Sequence, residues 1–307
     1  MNIYHPLVYI ITINWNGFAH TKECLISLQK INYPNYKIIV IDNGSSNNEG
    51  QKLYKQFPHI QLILNNKNKG YVVANNQGVK KALKWGADYI LLLNNDTTVK
   101  FDFLTMLVDY YEKSHFQGIL SPKILYYKTS KVWAMGGKLN IYTSIPQMIG
   151  QGKPSSDYNK IIKPDYAPGC ALFTKKDILK KIGLLDERYF AYYEDTDISF
   201  RAKRGGYNIK IIPKSIIWHK VSQSTKQKRF GKIGKTQAYF LAKNGLVFGS
   251  LNYHFPKYII YFVGQTLIKL PLYLIFKVDS INSAAYYIKG YIDGWKFVCK
   301  IGNEKEK

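Results

Sequence analysis

Acidic residues are scarce in this chain. Twenty Asp and Glu face 44 Lys and Arg, a formal net charge of +24, and no acid occurs between Lys203 and Val278. An excess of that size implies anionic partners: nucleic acid, phosphorylated substrates or anionic lipid. Its concentration in one stretch reads as an interaction face or as a generic basic surface. Cysteine is also rare. Cys24, Cys170 and Cys299 are odd in number and far apart, which excludes a disulfide framework and zinc-ligand spacing and fits a reducing compartment. The N-terminal apolar run Leu7–Ile13 lacks a basic flank and a small-residue cleavage site, so it is not a signal peptide. No helix-turn-helix, RNP or zinc-finger pattern accompanies the basic residues, which argues against nucleic-acid binding. A nucleotidyltransferase would need a Gly-rich phosphate loop near the N-terminus, and Ile13–Phe18 offers only Gly17.

What is present is a globular composition, 46% hydrophobic and 21% charged over 307 residues, enough for a large α/β domain with an appendage. Apolar runs at Leu7–Ile13, Lys37–Ile41, Ile60–Leu64 and Tyr89–Leu93 read as buried strands. Helical stretches at Thr21–Leu28, Ser46–Phe57 and Val72–Trp85 separate them. That alternation predicts parallel βαβ units. Gly118 to Ile162 reads as loops and short strands; a helix follows at Lys175–Ile182 and a strand at Ile209–Ile212. The character changes after about Gly234, placing a boundary near Phe230: residues 1–230 form one domain and 231–307 a basic, apolar helical region.

The residues closing the strands are polar: Asn14, then Asp42-Asn43-Gly44, Asn65-Asn66 and Asn94-Asn95-Asp96. Open parallel sheets bind ligands at that edge. Asp42 has the chemistry to accept hydrogen bonds from a base or ribose, or to close an Asx-turn. Asp96 has a hard oxygen donor for a divalent cation bridging two phosphates, or a cap for the next helix. In Tyr192-Tyr193-Glu194-Asp195-Thr196-Asp197 three carboxylates fall within four positions. Clustered acids raise one another's pKa, as a general base requires, though an acidic helix N-terminus has the same composition. A helix starting near Thr196 would let Asp197 pair with Arg201, leaving Asp195 to act. His219, beside Trp218, is a metal ligand only if the fold brings it to Asp96; otherwise it is a packed histidine.

Together these segments resemble family 2 glycosyltransferases of the GT-A fold, particularly the rhamnosyltransferase-like bacterial group. The resemblance runs through Ile10–Gly17, Val40–Ser46, Asn68–Gly78, Leu93–Thr97 at the D-x-D position, Pro168–Phe173, and Gly183–Asp197 with Arg201, over roughly residues 5 to 222. It implies a Rossmann-like, mostly parallel α/β sheet. It implies that Thr12 and Asp42 hold the nucleoside, with Asn43, Asn95 and Glu194 lining the nucleotide-sugar site. Gly70 and Asn76 would lie near diphosphate and sugar, and Asn94 would contact ribose or phosphate. Asp96 and His219 would hold Mn²⁺ or Mg²⁺, and Asp195 would be the base. The D-x-D opens with Asn94 in place of Asp, which bears on metal affinity. The implied reaction is inverting transfer from a dTDP- or UDP-sugar to a glycan or lipid-linked acceptor in cell-surface polysaccharide synthesis, on the cytoplasmic face of the bacterial inner membrane. The alternatives are a catalytically inactive binding relative and a nucleic-acid-binding protein.

The stretch Tyr258–Val278 approaches spanning length, but Lys269 and Pro271 sit near its centre. A central Lys is costly in hydrocarbon. The favoured reading is a membrane-associating helical appendage lying in the interface; a spanning helix and one packed on protein remain the alternatives.

Overall fold

The computed structural model describes residues 4–221 and 232–305. They fall into two compact units. One comprises the residues up to Lys138, Met148–Phe190 and Ile198–Val221; the other comprises Leu139–Gln147, Ala191–Asp197 and the described residues from 232 onward. The boundary expected near Phe230 lies outside the described residues.

In the first unit β1 (Val8–Asn14), β2 (Tyr36–Asp42), β3 (Gln61–Leu64) and β4 (Tyr89–Leu93) run parallel, in the order β3-β2-β1-β4. The connections are helical: α1 (Phe18–Leu28), α2 (Glu49–Gln56) and α3 (Gly70–Lys84). Ile10, Ile11, Ile39, Val40 and Leu91 are fully buried. Strands covered on both faces read as continuous apolar runs, and each such side chain contributes roughly 1.5–3 kcal/mol by leaving water. After β5 (Thr97–Val99) and α4 (Phe103–Lys113) come β6 (Gly118–Tyr126), β7 (Val132–Ala134), β8 (Gly137–Leu139), β9 (Pro146–Met148), β10 (Ala171–Lys175), α5 (Lys176–Ile182), α6 (Glu194–Arg204) and β11 (Asn208–His219). The main sheet continues β4-β10-β6-β11-β5, with β10 antiparallel to both neighbours and β6 parallel to β11.

Two strands are longer than their sequence suggests. β6 is a nearly wholly buried strand despite Pro122, because β10 stops pairing at Leu120 and does not need that proline's missing N–H. β11 does not end at Ile212. Its register with β6 shifts between Ile212 and Ile216, so Pro213 sits in an irregularity that tolerates it, and the strand resumes to His219. That resumption sets His219 opposite Thr97 of β5.

The second unit is helical. α7 (Lys235–Asn252) packs along the last helix, Ile281–Lys305, with a helical segment Lys257–Lys277 between them in sequence. Gly290 permits that close packing, since a Cβ there would lie 2.2 Å from the Tyr239 carbonyl oxygen. The Lys257–Lys277 segment is turned with its polar groups inward. Gln265 and Lys269 are buried, while Ile259, Val263, Leu267, Ile275 and Phe276 are exposed.

Candidate active site

Asn14 organises the carboxyl edge of the sheet. It pairs in register with Asp42, and its Nδ2 donates to Ser45 Oγ (3.0 Å), Glu49 Oε2 (2.9 Å) and, at 3.4 Å, Asp42 Oδ2. Its Oδ1 accepts from Thr21 Oγ1 (2.6 Å), which in turn accepts from Asn95 Nδ2 (2.8 Å). A continuous hydrogen-bond chain therefore runs from Asp42 to the Asn94–Asp96 turn. Gly17 leaves room for it, as a Cβ there would stand 2.8 Å from Asn95 Nδ2. Asp42 also closes its own turn, with Ser45 N donating to Oδ1 (2.8 Å). Thr12 is fully buried, and its hydroxyl has no hydrogen-bond partner among the described residues.

Asp96 ends this edge. His219 Nε2 lies 3.1 Å from Asp96 Oδ1, and Lys220 N donates to the Asp96 carbonyl (3.0 Å). The antiparallel β5–β11 pairing delivers the contact, so the condition on which His219's role depended is met. The imidazole is buried, edge-on to Trp133 with ring centroids 4.5 Å apart, and its Nδ1 has no hydrogen-bond partner among the described residues. Asn94 Oδ1 accepts from Tyr71 Oη (3.1 Å). Its Nδ2 makes no hydrogen bond among the described residues, so it offers a donor, suited to a ribose or phosphate oxygen.

Two residues expected at the ligand, Asn43 and Asn76, are also held by hydrogen bonds within the fold. Asn43 Nδ2 donates to Asn68 Oδ1 and the Gly70 carbonyl, while its Oδ1 accepts from Asn65 Nδ2 and Lys69 N. Asn76 Nδ2 donates to the Leu185 carbonyl and Glu187 Oε1, and Leu185 N donates back to Asn76 Oδ1. Both amides are buried with donor and acceptor engaged, which is how a buried amide avoids its desolvation cost. Asn95 is likewise a tie through Thr21. Gly70, at φ +86°, opens α3 where a Cβ would meet the Phe190 ring at 2.6 Å. Tyr71 N and Val72 N donate to the Phe190 carbonyl, which sits at the first turn of α3.

The acidic cluster forms the first turn of α6, in the second unit. Glu194 and Asp197 are buried, and Asn252 Nδ2 donates to Asp197 Oδ1 (2.8 Å). Burial, then the neighbouring Asp195 charge, pushes the Glu194 carboxyl up to about 8. Asp195 alone of the three is partly open to solvent. Its Oδ1 accepts from Thr196 N (2.6 Å) and Thr196 Oγ1 (3.1 Å). Arg201 donates to the Ile182 and Leu184 carbonyls, tying α6 to the end of α5.

The family model described as glycosyl transferase family 2 matches residues 9–183. The chain belongs to glycosyltransferase family 2. Among curated relatives, a low-salt glycan biosynthesis hexosyltransferase of Haloferax volcanii is 27% identical over 56% of this chain and 55% of its own length. An N-acetylglucosaminyl-diphospho-decaprenol L-rhamnosyltransferase of Mycobacterium tuberculosis is 21% identical over 70% of this chain and 76% of its own. The crystal structure of GalNAc-T7 with UDP, GalNAc and Mn²⁺ superposes with a TM-score of 0.61 at 14% identity, over 80% of this chain and 51% of that one. The chain thus spans about half the length of the archaeal relative and of that solved structure. The fold is GT-A.

Within this family framework a divalent cation is implied, and the residues present fit one. A carboxylate oxygen and an imidazole nitrogen, facing each other at 3.1 Å, are donors that Mn²⁺ and Mg²⁺ accept. Among the described residues no group of three or more His, Cys, Asp or Glu could hold an ion, so remaining ligands would come from substrate and water. Sequence reasoning passed over Trp15. It is half exposed, between Asn14 and Asn16, and Asn16 is tied to Ser45 and Ser46 beside Asp42. A Trp directly after a strand-end Asn was the available signal.

Proposed function

We propose that the chain is an inverting glycosyltransferase that moves a sugar from a dTDP- or UDP-sugar to a hydroxyl of a glycan or lipid-linked acceptor, building a cell-surface polysaccharide. The observation that carries this is the Asp96–His219 pair at 3.1 Å, standing on an edge bonded through Asn95, Thr21 and Asn14 to Asp42. Rhamnose is the favoured sugar, because the mycobacterial relative is an L-rhamnosyltransferase.

In this reading Asp42 accepts from the nucleoside, the exposed Trp15 indole stacks on its base, and Asn94 Nδ2 donates to ribose or phosphate. The buried Thr12 hydroxyl, without a hydrogen-bond partner among the described residues, would gain one from a nucleoside. Asp96 and His219 would hold a divalent cation, which would supply positive charge against the diphosphate leaving group. Asp195 takes the proton from the acceptor hydroxyl as that oxygen bonds to the anomeric carbon. The bond from that carbon to the diphosphate oxygen breaks, its electron pair leaves with the nucleotide, and the configuration inverts. Glu194 stays protonated beside Asp195 and keeps its charge from opposing the base.

We take residues 1–230 as the catalytic part and 231–307 as the part that meets a membrane surface. Support comes from the Lys257–Lys277 segment, 21 residues within which an 18-residue stretch has a mean hydropathy of 1.7 and is one-third buried. Its outward face is apolar and Lys269 turns inward, so the central charge does not oppose contact with acyl chains. Lys257 and Lys277 at its ends are exposed, as an interfacial helix on anionic lipid requires. The three free cysteines fit the cytosolic face.

A thermal-shift panel of nucleotide sugars, with and without Mn²⁺ or Mg²⁺, tests the reading. One sugar nucleotide is expected to raise Tm, more so with the ion, since ligand binding stabilises the folded state by mass action. Binding without transfer to any acceptor would make the chain a binding relative. No shift with any donor would overturn the proposal.

A further inference from the structure

Tyr192 and Tyr193 immediately precede α6, and both are left-handed, with φ of +69° and +72°. Large L side chains rarely adopt that conformation, and two in succession persist only when surrounding contacts impose them. Those contacts lie in the second unit. Asn244 of α7 is fully buried, and its Nδ2 donates to both the Ala191 carbonyl (2.8 Å) and the Tyr192 carbonyl (2.9 Å). Two turns further along the same helix, Asn252 donates to Asp197 (2.8 Å). From the Lys257–Lys277 segment, the fully buried Lys269 donates from Nζ to Tyr193 Oη (2.7 Å) and to the Leu241 carbonyl (3.3 Å).

These ties cost more than packing requires. Asn244 Oδ1 is buried without a hydrogen-bond partner among the described residues. Burying a lysine amine is expensive, and apolar side chains of similar volume often serve stability as well. The strain and the polar cost share one target, the two residues directly before Glu194 and Asp195. Residues kept for stability alone would not converge there. Strain held in place by surrounding structure at such a point is a signature of functional geometry.

We propose that Asn244, Asn252 and Lys269 are positioning residues for Asp195, fixing the turn that presents its carboxylate. The proposal rests on the reading of Asp195 as the base. It makes the C-terminal helices part of the catalytic apparatus as well as the membrane-facing part.

The test uses the full chain with Asn244→Asp, which sets an acceptor against two carbonyls, and Lys269→Met, which removes the tie to Tyr193 along with a buried charge. Measured are kcat at saturating donor and acceptor, donor Kd, Tm and the pH dependence of kcat. Both variants are expected to lose about ten- to a hundredfold in kcat, while donor Kd changes by less than about twofold, as misplacement of one catalytic group produces. The acidic limb of the pH profile is expected to move, because the spacing of the three carboxyls changes. Should Asn244→Asp not fold, Lys269→Met decides alone, since its Tm is expected to hold or rise. Wild-type kcat and pH profile in Lys269→Met would overturn the inference. Asp195→Asn separates the two failures. If it abolishes transfer while the other variants behave as wild type, only the positioning role falls; if it leaves kcat intact, the base reading falls and the positioning role with it.

Discussion

Glu194 sits buried on the first turn of α6 beside two other carboxyls, and its proton is held up to about pH 8 by burial first and by Asp195 second. Its ordinary value is 4.5. Between pH 4.5 and 8 the folded chain therefore binds more protons at this residue than the unfolded chain does. Stability from this group falls as pH rises through that window and is level on either side of it. Glu194→Gln removes the dependence. The Tm of the variant relative to wild type is expected to be more favourable at pH 8 than at pH 5, by thermal melts in matched buffers; an equal difference at both pH values would mean Glu194 ionises normally in the fold. At the same scale, Asn43 and Asn76 show how far residue type alone reaches. Asn after a strand or within a helix is compatible with ligand contact and with bracing. The bracing partners, Asn68 and Gly70 for one and Leu185 and Glu187 for the other, are supplied by tertiary structure.

Among the elements, the Lys257–Lys277 segment joins sequence to behaviour most directly. Its exposed stripe of Ile259, Val263, Leu267 and Ile275 recurs every four residues, with one step doubled, while Gln265 and Lys269 face inward. Leu267→Glu combined with Ile275→Glu places two charges on that stripe without touching the buried network. The double variant is expected to lose flotation with vesicles containing anionic lipid while keeping its Tm and soluble-donor binding. Undiminished flotation would assign membrane contact elsewhere. Element boundaries were legible wherever a run was apolar and uninterrupted: Tyr89–Leu93 is read identically from sequence and structure. They were obscured at β6 and β11 by Pro122 and Pro213. Strand propensity cannot reveal that a neighbour stops pairing or that a register shift absorbs a proline. His219 reaches Asp96 through that second half of β11. The resemblance to family 2 proposed the contact, and the strand pairing supplies its physical route.

For the molecule as a whole, the acid-free stretch Lys203–Val278 and the acidic strand ends lie apart in the sequence. In the proposed reading, the strand-end Asn and Asp handle the sugar nucleotide, and the apolar face of Lys257–Lys277, with exposed Lys257 and Lys277 at its ends, meets anionic lipid. The parallel α/β sheet and its polar carboxyl edge were legible because helices alternate with buried strands and the strand ends carry Asn and Asp; the GT-A assignment came from the resemblance to family 2. The strained turn before α6 was not legible, since two tyrosines in left-handed backbone have no sequence signature. The account stands on single displacement at the anomeric carbon with Asp195 as base, and the stereochemistry of the product reads that step. NMR of the sugar first released or transferred from a donor of known anomeric configuration is expected to show the opposite configuration. A product retaining the donor's configuration would contradict it.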